Sequence, residues 1–246
     1  MLLTLQQNNF IAKNMSEILV GGVETFSAVD FPGRLAAVVF MQGCPWRCPF
    51  CYNQAIQKIG QPTGFLWSKF IEFLKKRQGK LDAVVFSGGE PLVQDNLALA
   101  IKEVKDLGFE IGLHTGGYRP EHLQKILPLI DWVGLDIKAP FNQERYQSVT
   151  QTNHLDKVLQ SLDLLIKNNK NFECRTTCDP RILSINDIHQ IADKLKELGV
   201  KKYFLQQYRP VKGDITSTEE ARNQFVKDLS LQNKLKTYFI DYEFRY

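Results

Sequence analysis

Cysteine is scarce in this chain: five residues in 246, an odd number. No apolar run approaches the ~20 residues that cross a bilayer, so a membrane-spanning role is not expected. The first residues, MLLTLQQNNFIAKNM, lack both a basic start and a long apolar stretch, so no secretion signal is read there. Without an export signal, five cysteines do not suggest a disulfide framework, and metal binding or redox chemistry becomes the live reading. Excess charge of one sign is also missing, with a net +4 over the whole length. The groups Lys75-Lys76-Arg77 and Lys201-Lys202 fall at expected helix ends and before a strand, and read as solvated faces rather than a nucleic-acid surface. A cytoplasmic protein that binds neither nucleic acid nor membrane is expected. No repeat, linker or low-complexity segment is visible. Residues 1–20 read as an N-terminal extension, with Met15 an alternative start, and 21–246 as one domain.

What is present is an alternation of apolar strand-like and amphipathic helix-like runs. The spacing predicts strands over 35–41, 82–86, 110–113, 132–137, 172–176 and 203–206. Several are nearly continuous in apolar residues, as parallel strands covered on both faces are. Helical patterns lie between them: Phe65, Phe70, Phe73 and Leu74; Leu97, Ile101, Val104 and Leu107, ended by Gly108; Leu155, Val158, Leu159, Leu162 and Leu165; Ile188, Ile191, Leu195 and Leu198, ended by Gly199. Six βα units imply a parallel sheet with right-handed crossovers. They are too few for a closed eight-stranded barrel, so the expected fold is α/β, an open partial (β/α)6 barrel. A further strand-like stretch, 237–242, is placed to cover an edge. Polar groups collect just after the strands, where α/β folds bind ligands.

The segment Gly43-Cys44-Pro45-Trp46-Arg47-Cys48-Pro49-Phe50-Cys51 spaces its cysteines C-x3-C-x2-C. Three thiolates on eight residues can wrap one metal centre. Electron-carrying iron–sulfur clusters use four cysteines, so three leave one iron open, as a catalytic site needs. The residues alone leave two alternatives: a zinc knuckle completed by Cys174, Cys178 or a histidine, and three buried thiols without metal. Ser87-Gly88-Gly89-Glu90-Pro91 follows the next strand; its glycines permit close backbone approach, and Glu90 offers a carboxylate to a cation.

Together the two motifs resemble the signature of radical S-adenosylmethionine (SAM) enzymes, with Phe50 as the aromatic before the last cysteine. The resemblance implies that Cys44, Cys48 and Cys51 hold a [4Fe–4S] cluster. It implies further that SAM chelates the open iron, and that reductive cleavage gives methionine and a 5′-deoxyadenosyl radical. It assigns Gly88, Gly89 and Glu90 to the SAM amino group, Asp136 and Lys138 to its ribose and carboxylate, and Arg175, which shares a strand side with Thr177, to its methionyl carboxylate. A surface salt bridge is the other reading of Lys138 and Arg175. His114-Thr115-Gly116-Gly117 departs from the family's Asp-Thr-Asn-Gly, which leaves His114 either a SAM contact or a satisfied strand-end histidine. Gln206, Gln207 and Arg209 are placed on the far side of the pocket.

Ser27-Ala28-Val29-Asp30-Phe31-Pro32-Gly33 resembles the S-x-x-D-[FY]-P-G segment of glycyl-radical-enzyme activases. Glu173-Cys174-Arg175-Thr176-Thr177 and Leu205-Gln206-Gln207-Tyr208-Arg209-Pro210 are similar to the anaerobic ribonucleoside-triphosphate reductase activating proteins. The resemblance spans 21–210 and implies a glycyl-radical enzyme, anaerobic ribonucleotide reductase, as partner, and a low-potential electron donor such as flavodoxin or ferredoxin. Tyr52-Asn53 departs from the His-Asn of many activases. A small-molecule radical SAM enzyme, as in deazapurine synthesis, would share every SAM motif.

Overall fold

The computed structural model describes residues 18–61, 63–211 and 213–245. Eight strands form one open sheet in sequence order. They are β1 (Val20–Ser27), β2 (Ala36–Met41), β3 (Ala83–Gly88), β4 (Glu110–Thr115), β5 (Trp132–Asp136), β6 (Phe172–Cys178), β7 (Lys202–Gln207) and β8 (Asp241–Arg245). β2 to β8 pair in parallel, and β1 joins the β2 edge antiparallel. The six expected strands are the central six, and the barrel does not close. Two edges differ from expectation. β1 was not anticipated, because Gly21-Gly22 and Glu24-Thr25 break its apolar alternation. The tail strand begins later than 237, because Thr237 and Tyr238 complete a helix first.

The helices are α1 (Trp67–Lys75), α2 (Leu97–Asp106), α3 (Pro120–Ile126), α4 (Gln143–Thr150), α5 (Leu155–Lys167), α6 (Ile185–Glu197), the single turns α7 (Glu219–Arg222) and α8 (Gln224–Lys227), and α9 (Leu229–Tyr238). Gly108 and Gly199 follow α2 and α6 with φ of +92° and +82°, the left-handed geometry that ends a helix. α6 opens on a capping box between Ser184 and Asp187. Among the described residues no helix is long and apolar enough to cross a membrane. Ile18 and Val20, on the stretch assigned to the extension, are buried in the core; Met15 lies outside the described residues.

Alternation along each strand builds two interiors. One face, with Ala37, Val39, Met41, Val84, Phe86, Ile111, Leu113, Val133 and Leu135, packs on helix residues such as Leu74, Ile101, Leu162 and Ile191. The concave face is filled at its lower end by Phe31, Ala36, Val38, Ala83, Val85 and Trp132. Phe31 and Trp132 rings meet at 5.4 Å, and Gly112 is kept small by Phe31, whose Cδ2 lies 2.9 Å from where a Cβ would stand. Burying such a ring stabilises by about 2–3 kcal/mol. Above this plug the same face turns polar, with Ser87, His114, Asp136, Arg175 and Gln206 two residues beyond Val85, Gly112, Gly134, Glu173 and Phe204.

Candidate functional site

Those residues border one cavity of about 220 Å3 at the carboxyl ends of the strands. Cys44, Cys48, Cys51 and Phe50 border it, as do Gly88, Gly89, Asp136, Lys138 and Arg175. The three cysteines therefore border the same cavity as every expected site residue except Glu90, Gln207 and Arg209.

The cysteine loop is set by its backbone. Gly43 turns at φ +100°, its N–H donates to Ile56 O at 2.7 Å, and Cys44 N–H donates to Gln57 O at 2.9 Å. Arg47, itself exposed, braces the loop, donating through Nη1 to the carbonyls of Cys44 (2.7 Å) and Trp46 (2.8 Å). Burial pushes the Cys44 thiol up to about 12 and the Cys48 thiol to about 11, against the pull of the Lys138 charge. Binding to iron reverses that preference, because a coordinated thiol is deprotonated outright. Among the described residues no three His, Cys, Asp or Glu side chains are drawn together around a single ion. Cys174 and Cys178 are buried in the core and do not border the cavity. A donor set of three thiols on one loop, facing a polar cavity with no fourth cysteine, fits an iron–sulfur cluster with one coordination site left for a ligand.

The glycines of Gly88-Gly89-Glu90 allow a close backbone approach, here to the chain itself. A Cβ on Gly88 would stand 2.2 Å from Met41 N, and one on Gly89 2.1 Å from Gly43 O. These glycines let two backbones touch: Gly89 N–H donates to Met41 O (2.9 Å) and Glu90 N–H to Gly43 O (2.8 Å). The segment thus braces the base of the cysteine loop. Glu90 is 1% exposed and does not itself border the cavity. Its carboxylate accepts from Thr115 Oγ1 (2.5 Å), Gly116 N–H (2.8 Å) and Leu92 N–H (3.1 Å). Burial pushes its acid up to about 7 despite those bonds. Glu90 therefore holds the turn after β4, and Thr115 and Gly116, which border the cavity, carry that order to the site.

Asp136 and Arg175 face each other in register on β5 and β6. Arg175 donates to Asp136 Oδ1, and Lys138 Nζ stands 3.6 Å from Oδ2 and 5.2 Å from the Trp46 ring centre. Burial alone would raise the Asp136 acid, but the Arg175 and Lys138 charges hold it below its ordinary value. Lys138 and Arg175 both pair with Asp136, and all three border the cavity, so these ion pairs do not lie on the open surface. His114 is a satisfied strand-end histidine that also borders the cavity. Its Nε2 lies 2.8 Å from Asp30 O, and its Nδ1 lies 3.3 Å from Ser87 Oγ. Burial, aided by the Arg175 charge, lowers its pKa to about 3. The ring is thus neutral, Nε2–H donates to the carbonyl, and Nδ1 accepts from Ser87. Ser27 explains the S-x-x-D spacing: its Oγ donates to Asp30 Oδ2 at 2.6 Å and accepts from the Val29 and Asp30 N–H groups.

A second, open groove of about 790 Å3 continues from the cavity, between loop 28–33 and β8. Gln206, Gln207 and Arg209 border it, as do Val29, Asp30, Tyr52 and Arg245. Trp46, Tyr52, Asn53, Ser87 and Thr115 also border the cavity and were given no ligand role from the sequence. Their nearness to the cysteines and to the Gly88-Gly89 turn was the available signal.

The radical SAM superfamily profile matches residues 38–178, from within β2 to the end of β6. The chain belongs to the radical SAM superfamily, whose enzymes use a [4Fe–4S] cluster and SAM. A protein of Methanocaldococcus jannaschii described as a glycyl-radical enzyme activating enzyme is 33% identical over 203 residues, 78% of this chain and 80% of that protein. Within the superfamily the chain therefore stands with the glycyl-radical-enzyme activating enzymes. The pyruvate formate-lyase-activating enzyme of Listeria monocytogenes is 35% identical over 153 residues, 55% of this chain and 60% of its own. A solved radical SAM methyltransferase from Sphaerobacter thermophilus shares the fold, with a TM-score of 0.65 at 15% identity over 88% of this chain and 67% of that one.

Proposed function

We propose that this chain activates a glycyl-radical partner, anaerobic ribonucleoside-triphosphate reductase, by removing one hydrogen atom from a glycine Cα. The observation that carries the reading is the outer groove, which adjoins the cofactor cavity and shares bordering residues with it. An extended backbone loop fits such a groove, with main-chain hydrogen bonds providing affinity. Asp30, Thr177 and Gln206 offer polar groups to that backbone where groove and cavity meet.

Cys44, Cys48 and Cys51 hold the cluster in this reading. Gly88 and Gly89 set the cavity wall against which the SAM amino group lies, and Phe50 packs beside it. Glu90 acts on that group through Thr115 and Gly116. Lys138 presents its ammonium to the SAM carboxylate, Arg175 holds Asp136 in place, and Asp136 keeps one carboxylate oxygen toward the ribose. When bound, cluster and SAM supply one-electron reduction and hydrogen-atom abstraction; the chain's residues orient them and exclude other hydrogen donors. The electron comes from a low-potential donor such as flavodoxin or ferredoxin. Co-expression with an anaerobic ribonucleotide reductase, followed by anaerobic reduction with SAM, tests this directly. A glycine-centred doublet in electron paramagnetic resonance is expected. A small molecule converted in its place would move the chain to the small-substrate branch.

A further inference from the structure

The cofactor cavity and the outer groove share five bordering residues, Asp30, Tyr52, Arg175, Thr177 and Gln206, of which only Tyr52 is aromatic. Tyr52 directly follows the last cysteine of the loop, and its ring is stacked on Tyr208 with centroids 5.7 Å apart and planes 11° from parallel. Its hydroxyl oxygen accepts from the Arg209 N–H at 2.8 Å. The cysteine loop and the segment after β7 therefore meet at this ring, from opposite sides of the open barrel.

The far side of the contact is anchored. Tyr208 is 2% exposed, its N–H donates to Cys178 O, and its hydroxyl donates to Asp214 Oδ2 at 2.9 Å. The Arg181 guanidinium lies 4.8 Å from the Tyr208 ring centre and binds both Asp214 and the fully buried Asp179. Tyr208 is thus a fixed plate. Tyr52, itself 48% exposed, is the part of the contact that can move aside.

We infer that the Tyr52 ring, stacked on Tyr208, is the partition between the cofactor cavity and the outer groove, and that it keeps foreign hydrogen donors from the cofactor until a substrate occupies the groove. Tyr52 is a positioning residue in this scheme and makes no bond to the reacting atoms. Where the partition is missing, a C–H bond of an intruding molecule would break homolytically in place of the substrate's, its hydrogen would form the C5′–H bond of 5′-deoxyadenosine, and the carbon radical left on the intruder would be reduced by the added dithionite. The electron that breaks the S–C5′ bond comes from the added reductant. The inference concerns access to the cavity, so its partner-free test stands apart from the identity of the substrate.

Holoenzyme with SAM and dithionite is incubated without any partner in perdeuterated glycerol, and deuterium in 5′-deoxyadenosine is measured. Tyr52→Ala should raise deuterium incorporation roughly two- to tenfold, the opening expected from losing one stacked aromatic pair. Tyr52→Phe keeps the ring and should stay near the unsubstituted level. A second readout needs no turnover: bleaching of the cluster's visible absorbance in air should be faster in Tyr52→Ala and unchanged in Tyr52→Phe, at equal starting iron content. Equal deuterium incorporation and equal bleaching in all three proteins would overturn the inference. A Tyr52→Phe variant as leaky as Tyr52→Ala would overturn it as well, because the ring would then not be the barrier.

Discussion

Arg175 reaches across from β6 to hold Asp136 of β5, with Nε and Nη2 at 3.1 and 2.8 Å from the same carboxylate oxygen, Oδ1. Gly134, two residues before Asp136, makes the reach possible: a Cβ there would stand 2.7 Å from the Arg175 Cζ. The guanidinium is thereby committed to the protein, and Lys138 is left as the cation beside the second oxygen. Arg175→Ala should cost about 2 kcal/mol, less than the ~3–5 kcal/mol of a fully buried pair, because the Asp136 side chain remains 33% exposed. Its pH dependence has a definite sign. A carboxylate held below its ordinary value stabilises the fold above that value, and the contribution is lost as pH falls through the folded one. Without Arg175, Asp136 takes up its proton at higher pH, so acid unfolding should begin at higher pH. Urea midpoints between pH 3 and 6 measure this.

Glu90 carries the opposite sign. Its folded acid is raised from 4.5 to about 7, so the fold holds its proton more tightly than the unfolded chain does. Stability is full below pH 4.5 and falls as pH rises to about 7, by on the order of 3 kcal/mol. Glu90→Gln should remove that slope while costing about 1 kcal/mol at pH 5 for one mismatched hydrogen bond. A variant with the same pH slope would show that Glu90 is not its source.

Gly89→Ala should damage the cysteine loop without touching a cysteine. The new Cβ would collide with the Gly43 carbonyl, a backbone group that cannot turn away, at a cost of about 3 kcal/mol. Lower iron content together with a lower melting temperature is the expected pair of readings.

Replacing Cys44, Cys48 or Cys51 by Ala should abolish a cluster of about four irons and four sulfides per chain, while Cys174→Ala should retain it. Anaerobic reconstitution with iron and sulfide analysis checks both. Stoichiometric zinc without sulfide would contradict the assignment.

The central strands were legible because buried parallel strands are apolar on both faces, and the cysteine and glycine motifs because their spacing is rigid. β1 was hidden by its two glycines and Glu24, since an edge strand paired on one side only needs no clean alternation. α4 was hidden because its few apolar positions, Tyr146 and Val149, are too sparse to show a period. The hydrogen-bond partners of Glu90 were not legible. Whether a carboxylate faces a ligand or the turn beneath depends on Thr115 and Gly116, 25 and 26 residues away. The Tyr52–Tyr208 contact joins residues 156 apart and leaves no local signal at all.

The most direct test of the account is isotope transfer. The partner is prepared with deuterium on its glycines and incubated anaerobically with this enzyme, SAM and a low-potential reductant. The account predicts deuterium in 5′-deoxyadenosine, appearing together with a glycine-centred doublet on the partner. Full turnover of SAM with no deuterium from any glycyl-radical partner, while a small molecule is consumed in step with it, would contradict it.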